Sequence, residues 1–162
     1  MDHIRKPLLF NASCTALVVT ALTFATRAGM IEPWQEEFNL SASQVGWSVG
    51  TAFWGFTLAM VLIGPIVDLL GMKRVIFIAL AGHVAGIILT IVAQGFWSLF
   101  FSTLLIGIAN GSVEASTNPL ITAMYPDDKT RKLYQFPVWF PGGIVLGGLA
   151  GFGLKGLGFG CG

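Results

Sequence analysis

The chain has 162 residues, 54% of them hydrophobic and only 10% charged, with a formal net charge of +1. Soluble domains carry roughly 25% charged residues, so a water-facing globule is excluded. The near-balanced charge offers no basic surface for nucleic acid and none for an acidic partner. What remains is an all-α integral membrane protein with the lipid bilayer as its solvent, because a helix satisfies every backbone group within its own segment.

A membrane helix needs about 20 mostly apolar residues, and five stretches supply them. Spans are predicted at residues 7–30, 45–70, 75–93, 98–125 and 137–154. Arg5 and Lys6 precede the first, but it is long enough to cross and no small-x-small cleavage site ends it, so it reads as a retained helix rather than a signal peptide. Cys14 and Cys161 fall in separate elements and are expected as free thiols. Residues 31–40 form a polar, acidic break carrying Pro33, after which Ser41 or Ser43 is the expected N-cap of the second span. Residues 71–74 and Gln94–Gly95 read as short turns, and residues 126–132 as a strongly charged loop.

The basic residues orient these spans. With a cytoplasmic N-terminus the inner segments hold Arg5, Lys6, Lys73, Arg74, Lys129, Arg131 and Lys132, and the outer side only Arg27 and Lys155. Those seven and two account for all nine Lys and Arg residues of the chain. Trp34, Trp47 and Trp97 then form an aromatic belt at the outer interface.

The fourth span carries the chemistry. At about 100° per residue, Thr103, Gly107, Asn110, Glu114, Thr117 and Asn118 fall within about a third of the helical wheel. Such a stripe faces a cavity or another helix, and an ionisable group inside the bilayer is costly and usually functional. Glu114 is therefore the candidate proton carrier. Asn110 and Asn118, one turn to either side, are candidate solute ligands, since an amide both donates and accepts. The plainer alternative is a buried Glu bonded to a neighbouring helix. In the first span Thr20, Thr23 and Arg27 share a face. Arg27 is a ligand for an anionic group, an ion-pair partner of Glu114 or Glu32, or a side chain that snorkels to the interface. His83, midway along the third span, reads as a structural hydrogen-bonding residue. Gly143, Gly147 and Gly151 make a small-residue ridge for close helix packing. No nucleophile–His–acid set, metal-ligand spacing or phosphate loop is present, so neither an enzyme nor a cofactor or metal is expected.

The segment Gly64-Pro-Ile-Val-Asp68-Leu-Leu-Gly71-Met-Lys73-Arg74 resembles the cytoplasmic signature of the major facilitator superfamily: a Gly, an Asp four residues on, a Gly three further, then basic residues. Leu69 and Met72 stand where that signature has an Arg and its first basic residue. The sequence from Gly107 to Asn118-Pro119, followed by Tyr125-Pro126, is similar to the fucose–proton symporter branch, in which a helix-4 Glu stands four residues before Asn-Pro. Trp139-Phe-Pro-Gly-Gly143 with Gly147 and Gly148 is similar to helix 5 of sugar-transporter-like members.

The resemblance implies an incomplete six-helix N-terminal half, partnered by missing C-terminal helices. It implies secondary active transport of a sugar or other small polar solute with a proton, by alternating access, in an inner or plasma membrane. With the α-helical stripe it points to Glu114 for proton coupling and to Asn110 and Asn118 for the solute; Arg27 is the candidate solute ligand by its place on the first span. The resemblance assigns Gly64, Asp68, Gly71, Lys73 and Arg74 to a conformational latch. The alternatives are an organic-anion transporter of the same superfamily, and a truncated, non-transporting membrane protein or scaffold.

Overall fold

A computed structural model describes residues 6–156, with side-chain surroundings through residue 153. Arg5, Cys161 and the side chain of Lys155 lie outside that description. Eight α-helices follow in order: α1 Lys6–Gly29, α2 Ile31–Glu37, α3 Ala42–Ile63, α4 Val67–Leu70, α5 Met72–Ile91, α6 Phe96–Met124, α7 Lys129–Gln135 and α8 Trp139–Gly156. Five stretches within the described residues are long and apolar enough to cross a membrane: Lys6–Gly29, Ala42–Leu70, Met72–Ile91, Phe96–Met124 and Lys129–Gly153. The chain is an all-α integral membrane protein. In α6, 56% of the apolar window is buried, against 28% or less in the others. The exposed apolar side chains of the remaining helices, such as Phe53, Val61, Leu80 and Leu149, form faces that lipid can solvate.

The chain divides into two compact units, Met30–Ser116 and the stretches on either side of it. In the Met30–Ser116 unit, α2 occupies part of the acidic segment read as a break. Pro33 falls in its first turn, where a missing N–H costs nothing, and Trp34 is buried. Burial of Trp34 corrects its expected place in the interfacial belt, whereas Trp47 and Trp97 are exposed. Asn39 takes φ 49° just beyond the helix, a left-handed position that Asn tolerates after a C-cap.

The second span begins at Ala42 with Ser41 as its cap. The Ser41 side chain accepts from the Gln44 amide while the Gln44 side chain accepts from the Ser41 amide, a reciprocal capping box. The span ends through a 3-10 turn at Gly64–Ile66, with Pro65 at its start, and the single turn of α4. Gly71 then reverses the chain at φ 84° and ψ 127°, a conformation that costs a residue with a Cβ. α5 starts at the next residue. Ser98 closes the α5–α6 turn, its hydroxyl accepting from the Gln94 and Gly95 amides and donating to the Gly95 carbonyl.

α6 packs on both α3 and α5 by way of glycines. A Cβ at Gly107 would collide with the Ala52 carbonyl, one at Gly111 would meet Phe56 and Ala59, and one at Gly55 would meet Leu104 and Ile108. Residue numbers rise together across this contact, so α3 and α6 run parallel. Gly82 lies against Ala109, and Gly86 against Ile106 and Ser102, so α5 runs antiparallel to α6.

In the other unit α1 and α8 run parallel. Gly143 meets Val18 and Ala21, and Gly147 meets Leu22 and Ala25. Gly151 has nothing within 4 Å, so the expected three-glycine ridge is a two-glycine contact. Phe24 and Phe140 pack edge to face across the same pair at 5.5 Å. Beneath it, Cys14, Leu17, Ile121, Met124 and Phe136 form a buried cluster. The charged segment expected as a loop is half helix. α7 consists mainly of good helix formers, and it places Leu133 and Phe136 against that cluster. Lys132 lies over the Phe10 and Tyr125 rings at 4.6 and 5.1 Å.

Candidate functional site

The polar stripe of α6 is held in place by its neighbours. Thr103, Asn110 and Thr117 are fully buried, while Glu114 and Asn118 are half-buried. Gly107, a member of the stripe, is in backbone contact with α3, so this part of the stripe faces another helix and not a cavity. Asn110, Glu114 and Asn118 follow at intervals of four residues on one helix, about 6 Å apart along its axis. Glu114 is the ionisable residue of α6. Pro119 lies inside the helix and lacks the N–H that would bond the carbonyl of Ala115, so the backbone beside Glu114 has a carbonyl freed from the helical ladder.

Asn110 has a partner that the sequence did not announce. His83 Nε2 lies 2.5 Å from its Oδ1, and His83 Nδ1 lies 3.0 Å from the Ala79 carbonyl of its own helix. Both side chains are buried, His83 at 6% exposure and Asn110 at 2%. The expectation that His83 makes a structural hydrogen bond meets this geometry, and the partner is a candidate ligand. The available signal was the stripe Val75, Ala79, His83, Gly86 on α5. Its small residues mark a face that a tight turn folds back onto α6.

Arg27 belongs to the other unit. It is buried at 5% exposure in the last turn of α1, and its Nε and Nη1 have no hydrogen-bond partner among the described residues. Within the described residues the side chain is enclosed rather than spread over the surface. The hydroxyls sharing its face bond their own helix, Thr20 to the Leu17 carbonyl and Thr23 to the Thr20 carbonyl. Ser48 Oγ and Thr103 Oγ1 are likewise buried without hydrogen-bond partners among the described residues.

The residues expected to form a latch lie at the α4–α5 junction. Gly64 opens the 3-10 turn, Gly71 makes the reversal, and Lys73 and Arg74 lie exposed in the first turn of α5. Asp68 is exposed in α4, and no side chain caps the start of α4 or of α5. Asp68 lies inside the helical turn rather than before it, so it caps neither helix. An open groove of about 670 Å³ lies at the other charged segment, lined by Asp127, Asp128, Lys129, Arg131 and Tyr134 among others.

The profile of the Major Facilitator Superfamily matches residues 9–159. The chain belongs to this superfamily. Among curated proteins it is similar to a D-xylose transporter of Levilactobacillus brevis, with 26% identity over 125 residues. That alignment covers 75% of this chain and 27% of the transporter, so the chain spans about a quarter of the length of the relative it matches. No solved structure matches it significantly. Membership accounts for the five apolar helices.

Proposed function

We propose that the chain is part of a secondary transporter that moves a sugar or another small polar solute together with a proton by alternating access. The observation that carries this reading is the placement of Glu114 inside a membrane-crossing helix, one turn from Asn110 and one from Asn118. Similarity to a D-xylose transporter supports a polyhydroxylated solute. In this reading Glu114 takes a proton on one side of the membrane and gives it up on the other. Asn110 and Asn118 bond solute hydroxyls, and because they flank Glu114 they link proton and solute through shared partners. Gly64, Asp68, Gly71, Lys73 and Arg74 form the latch that sets the balance of inward and outward states, with the N-terminus on the cytoplasmic side.

The test is Glu114→Gln in the chain joined to the remaining helices of its transporter and reconstituted in vesicles. Gln has the shape of the protonated acid. Exchange of solute down its gradient should survive, and accumulation driven by a proton gradient should be lost. Accumulation that persists in the Gln variant removes Glu114 from the mechanism.

One observation favours a second reading, in which the solute is an organic anion. Arg27 is a buried guanidinium with two nitrogens free to donate, and a guanidinium matches a carboxylate in two-pronged geometry. Arg27→Gln then abolishes uptake of a sugar acid and spares that of the parent sugar. Equal effects on both set this reading aside.

A further inference from the structure

His83 faces oxygen atoms with both of its ring nitrogens. A backbone carbonyl only accepts, so Nδ1, opposite Ala79, must carry a hydrogen. In a neutral imidazole Nε2 is then bare, and a bare nitrogen cannot bond a carboxamide oxygen. Two arrangements satisfy the pair. Either the ring holds a second proton and Nε2–H donates to Asn110 Oδ1, or the ring is neutral and the carboxamide is turned over so that Nδ2–H donates to Nε2. The oxygen and the amino group of Asn are nearly the same size, so the turn requires no repacking. Both side chains are buried, and a buried polar pair left unmatched is strongly disfavoured.

We propose that His83 is a positioning residue whose protonation state selects which end of the Asn110 carboxamide is left for other partners. With the ring protonated, Asn110 offers its two N–H donors, which suit a carbonyl or carboxylate oxygen. With the ring neutral, one N–H is spent on Nε2 and the oxygen is released beside the other N–H, so a hydroxyl hydrogen finds an acceptor. Asn110 interacts with another group besides His83, so the turn is felt beyond the pair. The consequence for solute choice rests on the reading of Asn110 as a solute ligand; the His83–Asn110 exchange itself does not.

Few other charges bear on the pair. Glu114 is the ionisable side chain of α6, and α3 carries none. Lys73 and Arg74 lie at the start of α5, at least nine residues away and so about 13 Å along the axis. Asp68 lies in α4, and Glu32, Glu36 and Glu37 belong to α2 or its last turn.

The chain contains two histidines, His3 and His83, so the ring can be read directly. The measurement is nitrogen NMR of the 162-residue chain, labelled at His and Asn, in lipid bilayers between about pH 5 and 8. His83→Phe and Asn110→Leu assign the signals. The expected neutral ring is the Nδ1–H tautomer, with the Asn110 Nδ2 resonance showing a bond to Nε2. On acidification Nε2 gains its hydrogen and the Asn110 Nδ2 signal loses that bond, both with one midpoint. An Nε2–H tautomer in the neutral ring overturns the proposal. So does an Asn110 signal that stays still while His83 titrates, or a ring that keeps one protonation state throughout. The decisive titration uses the unaltered chain, so misfolding of a variant does not obscure it. Failure of the transport reading shows elsewhere, as solute uptake unaffected by Asn110→Ala.

Discussion

Asp68 and Arg27 show how differently a charge can be placed in one membrane protein. Arg27 is buried with donors unmatched, so its charge needs a partner that the described residues do not supply. Asp68 is exposed and caps neither helix of its junction, so removing its charge takes no bond from this conformation. If the junction is a latch, Asp68 acts on the balance between conformations, and a group that acts there shifts populations more than contacts. Asp68→Asn, in the chain with the rest of its transporter, should slow solute exchange at least about tenfold, equivalent to about 1.4 kcal/mol, while solute affinity changes little. Exchange rates and equilibrium binding measured side by side decide it. Unchanged turnover with weakened binding contradicts a latch.

The elements are held together by glycines whose spacing is readable but whose partners are not. Gly107 is tightly enclosed, since a Cβ there meets the Ala52 backbone, and backbone cannot swing aside as a side chain can. Gly142, one residue before a packed glycine, has nothing within 4 Å. Overpacking a close contact costs about 1–3 kcal/mol, so Gly107→Ala should lower the thermal unfolding midpoint in detergent, followed by circular dichroism. Gly142→Ala should leave the midpoint where it is or raise it slightly, because Ala is the better helix former. A Gly107→Ala protein as stable as its parent shows that α3 and α6 do not approach this closely.

For the whole molecule the question is orientation. Within their units α1 and α8 run parallel, α3 and α6 run parallel, and α5 runs against α6. Five crossings that alternate in direction produce this pattern with the N-terminus on either side. The proposed cytoplasmic N-terminus is the choice that puts Lys73, Arg74, Lys129, Arg131 and Lys132 on inner segments, as the positive-inside rule asks. Glu36 and Lys129 are both exposed and suit a labelling test. In a background without native cysteines, Glu36→Cys should react with an impermeant thiol reagent from outside and Lys129→Cys only from inside. The opposite pattern inverts the map.

The sequence by itself determined the solvent, the number of crossings, a serine-capped start to the second crossing (Ser41 or Ser43, of which the fold uses Ser41), the reversal at Gly71 and the acid on the fourth crossing. Each depends on local chemistry: run length against bilayer thickness, a hydroxyl ahead of a helix, a residue free of a Cβ, an ionisable group among apolar ones. Tertiary structure decided what composition hides. Trp34 turned from interface to core and α7 formed within a charged stretch, because apolar side chains three residues apart found a buried cluster to join. The polar stripe of α6 divided between helix packing at Gly107 and the His83–Asn110 pair. Residues 27 positions apart meet because α5 folds back on α6, and only the depth of that contact, set by Gly82 and Gly86, fixes which side chains come level. Periodicity gives the face of a helix, but it leaves undecided which residue of the neighbouring helix stands opposite.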